Sequence, residues 1–195
     1  MTRLDELRES VEGCRNCELY RDATQAVFSA GRASASIMLV GEQPGDREDL
    51  EGEPFVGPAG RVLDEALELA GVARSDVYLT NAVKHFRFEQ RGKRRIHQKP
   101  GITHIEACHP WLQSELEVVR PSTVVCLGAT AGRSVLGRPV KIGAERGQVI
   151  DDALPGAAVV VTTHPSSLLR LRDRGDYADE LRHLADDLRL AAGVR

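Results

Sequence analysis

Four short apolar runs punctuate the chain, at Ser36–Gly41, Val77–Thr80, Thr123–Gly128 and Ala158–Thr163, each closing on a glycine or a polar residue. Unbroken apolarity over four or five residues, without alternation, is the pattern of strands buried on both faces. Helical spacing fills the gaps. Val62, Leu63, Ala66, Leu67 and Ala70 share one helix face, with Gly71 as its stop; Ile105, Cys108, Leu112 and Leu116 share another in a helix from Thr103 to Val119, ended by Pro121. Leu4, Leu7 and Val11 mark a short N-terminal helix, a further one follows Gly128 as far as Leu136, and a last one, from about Tyr177, carries Leu181, Leu184 and Leu188. Gly137–Asp152 reads as a mixed, glycine-bearing connection. Strands alternating with helices predict an α/β fold, a three-layer α/β/α sandwich with a central four-stranded parallel sheet. A chain of 195 residues can bury a core of that size, and one domain spanning 1–195 is expected.

Ligands of such sheets bind beyond the carboxyl ends of the strands. Here those ends deliver Gly41-Glu42-Gln43, Asn81, Gly128 and His164. Three of the four carry side chains fit for recognition or catalysis, so a single site on one edge of the sheet is expected.

Between Asn81 and Pro100 the chain turns basic, with Lys84, Arg87, Arg91, Lys93, Arg94, Arg95 and Lys99 against the single acid Glu89. In a chain of net charge −3 this is a local anion site rather than a general basic coat. Taken alone, such a run is most often a solvated loop; placed next to the strand ends, it predicts a clamp on a phosphate backbone. His97 sits near the end of that stretch. Aromatic residues make up only 4% of the chain, too few for a broad base-stacking platform.

No apolar run approaches the roughly 20 residues needed to span a bilayer. Asp5, Glu6, Arg8, Glu9 and Glu12 stand where a secretory signal would need apolar residues. No membrane association and a cytoplasmic location are therefore expected. In a reducing compartment grouped cysteines bind metal more often than they form disulfides. Cys14 and Cys17 have two residues between them, and Cys108 and Cys126 have seventeen. If all four converge they suit tetrahedral zinc or an iron–sulfur cluster, and spacing does not choose. The competing reading makes Cys108 and Cys126 small core residues.

Taken together, GEQPG from Gly41, GEPFVGPAG from Gly52, TNAVKH from Thr80 and HPSSLLR from His164, with the four cysteines, resemble the iron–sulfur uracil-DNA glycosylases of family 4. The resemblance covers nearly the whole chain. Turnover members of that family have a shorter loop without Arg-Arg-Ile-His, and usually alanine where Gln43 stands. Gln43 together with KRRIH resembles the UdgX branch, whose members become covalently linked to uracil-containing DNA through that histidine.

The resemblance implies a role for each motif. Gly41, Phe55 and Asn81 would hold uracil, Phe55 by stacking and Asn81 by pairing with its polar edge. His164 would donate to uracil O2 as the base leaves. Lys84, Lys93, Arg94, Arg95, Ser166, Ser167 and Arg170 would hold DNA, and Leu168, with Leu169, would fill the gap left by the extruded nucleotide. Cys14, Cys17, Cys108 and Cys126 would bind a structural [4Fe-4S] cluster. Loss of uracil leaves an electrophilic C1′; the GEQPG loop, with Glu42 and Gln43, positions water for it in turnover members, and His97 would take it first here. The implied activity is excision of uracil from single-stranded DNA by a monomer that releases the base and stays attached through His97. Multiple turnover, a non-catalytic damage-binding module and a zinc-stabilised enzyme of small nucleotides are the alternatives.

Overall fold

The computed structural model describes residues 2–193, apart from the side chain of Asp152. In chain order the elements are α1 (Arg3–Glu12), β1 (Ser29–Ala30), β2 (Ile37–Gly41), α2 (Asp46–Glu51), α3 (Pro58–Ala70), β3 (Val77–Asn81), β4 (Phe88–Arg91), β5 (Arg94–His97), α4 (Ile102–Val119), β6 (Thr123–Leu127), α5 (Ala129–Leu136), α6 (Ile142–Glu145), β7 (Val149–Leu154), β8 (Ala157–Thr162) and α7 (Arg174–Gly193). The main sheet runs β1-β3-β2-β6-β8-β7. Its middle four strands are parallel, with Gly41 opposite Asn81, Val40 opposite Cys126 and Leu127 opposite Thr162.

The sheet thus has the four expected parallel strands, and it gains an antiparallel strand at each edge. β1 pairs with β3 and β7 with β8. Neither has the unbroken apolar run of the inner strands: β1 is two residues, and β7 carries Asp151 and Asp152. Short or charged edge strands protect a sheet from pairing with other chains.

Alternation along each strand splits the core. Met38, Val40, Tyr78, Val124, Cys126, Val159 and Val161 face α4 and α5 through Leu112, Val119, Ala131 and Val135. Leu39, Val77, Leu79, Val125, Leu127 and Val160 face α3 and α7 through Leu63, Ala66, Leu67, Leu184 and Leu188. Such alternation is the period-two geometry of a strand, with both faces covered. Gly71 ends α3 at φ +73°, as its position in the sequence predicts.

β2 has β3 on one side and β6 on the other, so the chain reverses its direction of travel across the sheet between them. That reversal opens a crevice at the carboxyl ends of β2 and β6, where ligands of open α/β sheets bind. The basic segment is not a loop. It folds as a hairpin of β4 and β5, turned by Gly92-Lys93 with Gly92 at φ +59°.

Candidate active site

Past Gly41 the ladder continues for two residues: Ala82 N–H donates to Gly41 O (2.9 Å) and Val83 N–H to Glu42 O (3.0 Å). The backbone of Glu42 is therefore as fixed as a strand. Asn81 is buried, and its side chain and the Phe55 ring press on Gly41. A Cβ there would lie 2.3 Å from Asn81 Oδ1 and 2.6 Å from Phe55 Cζ, so only glycine fits. Phe55 holds φ +59°, a left-handed conformation costly for a bulky residue. Arg74 bonds its carbonyl (3.1 Å), and the same oxygen would lie 1.8 Å from any Cβ on Gly60. Glu48 ties the two glycine-rich loops together, accepting from Gly45 N–H (3.1 Å) and Gly57 N–H (2.8 Å).

His164 closes the opposite wall, its ring 6.4 Å from that of Phe55 with 27° between planes. Ser166 N–H donates to His164 Nδ1 (3.1 Å), so Nδ1 carries no proton and Nε2 carries it. Burial pulls the pKa of His164 down to about 4, and His97 and Arg170 nearby add to the effect. The ring is a neutral N–H donor at physiological pH. The hydroxyls of Ser166 and Ser167 are engaged within the loop, on His164 Nδ1 (2.8 Å) and His164 O (2.8 Å).

His97 is the last residue of β5. Its Nε2 lies 3.5 Å from Glu42 Oε1, with the side chain 51% exposed. Desolvation lowers its pKa below the ordinary imidazole value; Glu42 pulls the other way and Arg170 adds to the lowering. The ring is therefore neutral at pH 7, with a lone pair available. Glu42, His97, His164, Asn81 and Phe55 thus surround one recess at the crevice.

Two side chains hold the hairpin there. Gln43 spans the bases of both strands: its Nε2 donates to Arg87 O (3.2 Å) and Gln98 O (3.0 Å), and its Oε1 accepts from Arg87 N–H (3.2 Å). Its amide is thus committed to the backbone of the hairpin, as a strut. Arg95 lies over Phe86 and Phe88, 5.5 and 5.2 Å from the ring centroids. Its guanidinium bonds Asp46 Oδ1 (2.6 Å), Asp46 O (3.1 Å) and Asp49 Oδ2 (2.5 Å). With its charge matched by two acids, Arg95 anchors the hairpin to the body of the protein.

Further residues sit elsewhere than the sequence predicts. Lys84 is fully buried. Its ammonium bonds Glu115 Oε2 (2.5 Å), Thr80 Oγ1 (2.6 Å) and Asn81 O (3.0 Å). An ammonium so enclosed cannot reach DNA; it braces the backbone of Asn81 from beneath. Leu168 is buried as well, and its neighbour Leu169, 49% exposed, is the apolar side chain offered to solvent. Lys93, Arg94 and Arg170 are exposed.

Cys17 packs against Cys108, and their interaction lowers the Cys17 thiol and, with burial, raises that of Cys108. Cys14 Sγ accepts from Trp111 Nε1 (3.1 Å), one turn along α4 from Cys108. Cys126 does not join them. It is buried among Val40, Leu112 and Val124, and burial alone raises its thiol. The four-cysteine set accordingly does not fit a cluster, and among the described residues no three His, Cys, Asp or Glu side chains converge on a metal position. Among the described residues, one buried atom on this side lacks a partner, Nδ1 of His85. Burial lowers the pKa of His85, Asp49 opposes that, and the charge of Arg15, between Cys14 and Cys17, adds to the lowering.

Residues 28–189 match the model of the uracil DNA glycosylase superfamily. The chain belongs to that superfamily. It is 33% identical over 193 residues to a type-4 uracil-DNA glycosylase of Archaeoglobus fulgidus, covering 95% of this chain and 94% of that protein. It is 38% identical over 177 residues to the type-4 protein of Thermotoga maritima (90% and 85%), and 33% over 186 residues to a type-5 uracil-DNA glycosylase of Pyrobaculum aerophilum (85% and 76%). As a superfamily member, the chain carries its recess at the switch point of its own sheet. Among the described residues no helix is long and apolar enough to cross a membrane.

Proposed function

We propose that this protein is a uracil-DNA glycosylase of the UdgX kind, which excises uracil from single-stranded DNA as a monomer and remains attached to the abasic sugar through His97. The supporting observation is the position of His97 Nε2, 3.5 Å from Glu42 Oε1, on a hairpin that Gln43 and Arg95 fasten over the recess. Membership of the superfamily supports the excision itself.

In this reading Phe55 stacks on the extruded base and Asn81 reads its polar edge. The C1′–N1 bond breaks with its electron pair on uracil, whose developing charge the neutral His164 N–H stabilises. An imidazole lone pair of His97 bonds C1′. The proton on the other ring nitrogen then passes to the Glu42 carboxylate, and solvent protonates the departing uracil. Lys93, Arg94 and Arg170 meet phosphates, with Ser166 and Ser167 beside the gap that Leu169 fills.

A [4Fe-4S] cluster, when bound, would tie the N-terminal segment to α4. The ligands we infer are Cys14, Cys17 and Cys108 with His85, which lie on neighbouring segments and would have to turn toward one another to close around it; His85 is included because a buried imidazole nitrogen without a partner is costly unless something occupies it.

Hydrolysis with turnover is the second reading, favoured by the half-exposed ring of His97, which leaves solvent a path to the same carbon. A denaturing gel separates the two. A DNA-bound species formed with uracil DNA and absent with thymine DNA supports attachment; product in excess of enzyme, without that species, supports turnover.

A further inference from the structure

Glu42 has two carboxylate oxygens, and they face different ways. Oε1 faces His97; Oε2 accepts a hydrogen bond from Thr130 Oγ1. Thr130 is 3% exposed, and this is the one hydrogen bond its hydroxyl makes among the described residues. The two residues are 88 positions apart in sequence. They meet because they flank the crevice: Glu42 leaves the end of β2, and Thr130 is the second residue of α5, directly after β6.

The turn that brings Thr130 there depends on Gly128. Its φ of +95° lets β6 pass straight into α5, and a Cβ on it would lie 3.1 Å from His164 Cβ. One glycine therefore packs α5 against His164 and aims Thr130 at Glu42. A β-branched side chain has little freedom about χ1, so a threonine here is a stiff support. The Glu42 backbone is already held by Val83 N–H (3.0 Å), leaving side-chain rotation as the freedom Thr130 removes.

We propose that Thr130 is a positioning residue: by fixing Oε2 it keeps Oε1 turned toward His97, and so favours attachment of the histidine over capture of the sugar by water. This rests on His97 being the nucleophile. Loss of the one hydrogen bond that orients the carboxylate is expected to slow the attachment step roughly 10- to 100-fold.

The experiment compares wild type, Thr130→Val and Thr130→Ser on a uracil-bearing single-stranded oligonucleotide. It measures the attachment rate, free uracil, free abasic DNA, affinity for the oligonucleotide and melting temperature. Thr130→Val should attach about 10- to 100-fold more slowly and divert product to free abasic DNA, with affinity and melting temperature near wild type. Thr130→Ser should restore the wild-type partition. In a Glu42→Ala background Thr130→Val should change nothing further, which keeps the test decisive if the single variant is less stable. Wild-type attachment by Thr130→Val, no rescue by serine in a folded variant, or an added loss without Glu42 would each overturn the proposal. A wild type that forms no covalent species would overturn the reading of His97 and this proposal with it; failure confined to the Thr130 variants would leave the reading of His97 standing.

Discussion

Gln43→Ala tests whether the hairpin is held over the recess by the contacts described. The substitution removes three hydrogen bonds, to Arg87 O, Gln98 O and from Arg87 N–H. At a net worth of about 0.5–1.5 kcal/mol each, docking weakens by roughly 1.5–4.5 kcal/mol. That is a 10- to 1,000-fold rise in the ratio of undocked to docked hairpin, at about 1.4 kcal/mol per factor of ten. Arg95, still bonded to Asp46 and Asp49, keeps the element from separating altogether. Trypsin reads the undocked fraction directly, because Arg91, Lys93, Arg94 and Arg95 lie along the hairpin and brief opening exposes them. Cleavage there should speed up at least tenfold in Gln43→Ala. Attachment reads the docked fraction, so it should fall by a smaller factor, while Asn81 and His164 go on releasing uracil. Hairpin cleavage within twofold of wild type would refute the reasoning, as would loss of attachment with the hairpin still protected.

Other expected outcomes follow from the same geometry. Attachment needs neutral His97, so its rate should be level near pH 7 and fall as acid protonates the ring, with a midpoint below 6.5 because desolvation lowers that pKa; a stopped assay from pH 4.5 to 8 checks it. His85→Ala should lower bound iron and the visible absorption of purified protein, whereas Cys126→Ala should leave both unchanged; loss of iron in the Cys126 variant would restore the four-cysteine set. Lys84→Met leaves the buried Glu115 carboxylate without its counter-charge, with only the Tyr78 and Thr80 hydroxyls bonded to it, and should cost about 3–5 kcal/mol by denaturant unfolding, rather than weakening DNA binding in a folded protein. Arg94→Ala should weaken initial DNA binding and reduce its salt slope by about one, without changing the covalent product once formed.

The inner strands and main helices were legible because burial on both faces writes itself as unbroken apolar runs, and the strand ends followed from them. The edge strands were not: two residues at Ser29 and an acidic segment at Asp151 carry no such pattern, and their partners set their conformation. Charge hid the hairpin. Glu89–Arg91 and Arg94–Arg95 read as a basic loop, although Gly92-Lys93 is a two-residue turn signal between matched segments. Lys84 is the sharpest miss. Lysine is almost never fully buried, and only a carboxylate 31 residues away, on α4, makes it so. Thr130 carries no sequence signal for a similar reason, since its partner is distant in sequence and close only across the crevice. Cys126 lies within a strand run, and its core position follows from the register that pairs it with Val40 and Val161.

Attachment stands or falls on the imidazole of His97 taking the anomeric carbon. The most direct measurement is mass spectrometry of peptides from protein incubated with a uracil-bearing oligonucleotide and then digested with protease and nuclease. A deoxyribose-phosphate adduct is expected on the peptide containing His97, and none anywhere in His97→Ala. An adduct on another residue, or one that persists in His97→Ala, would contradict it.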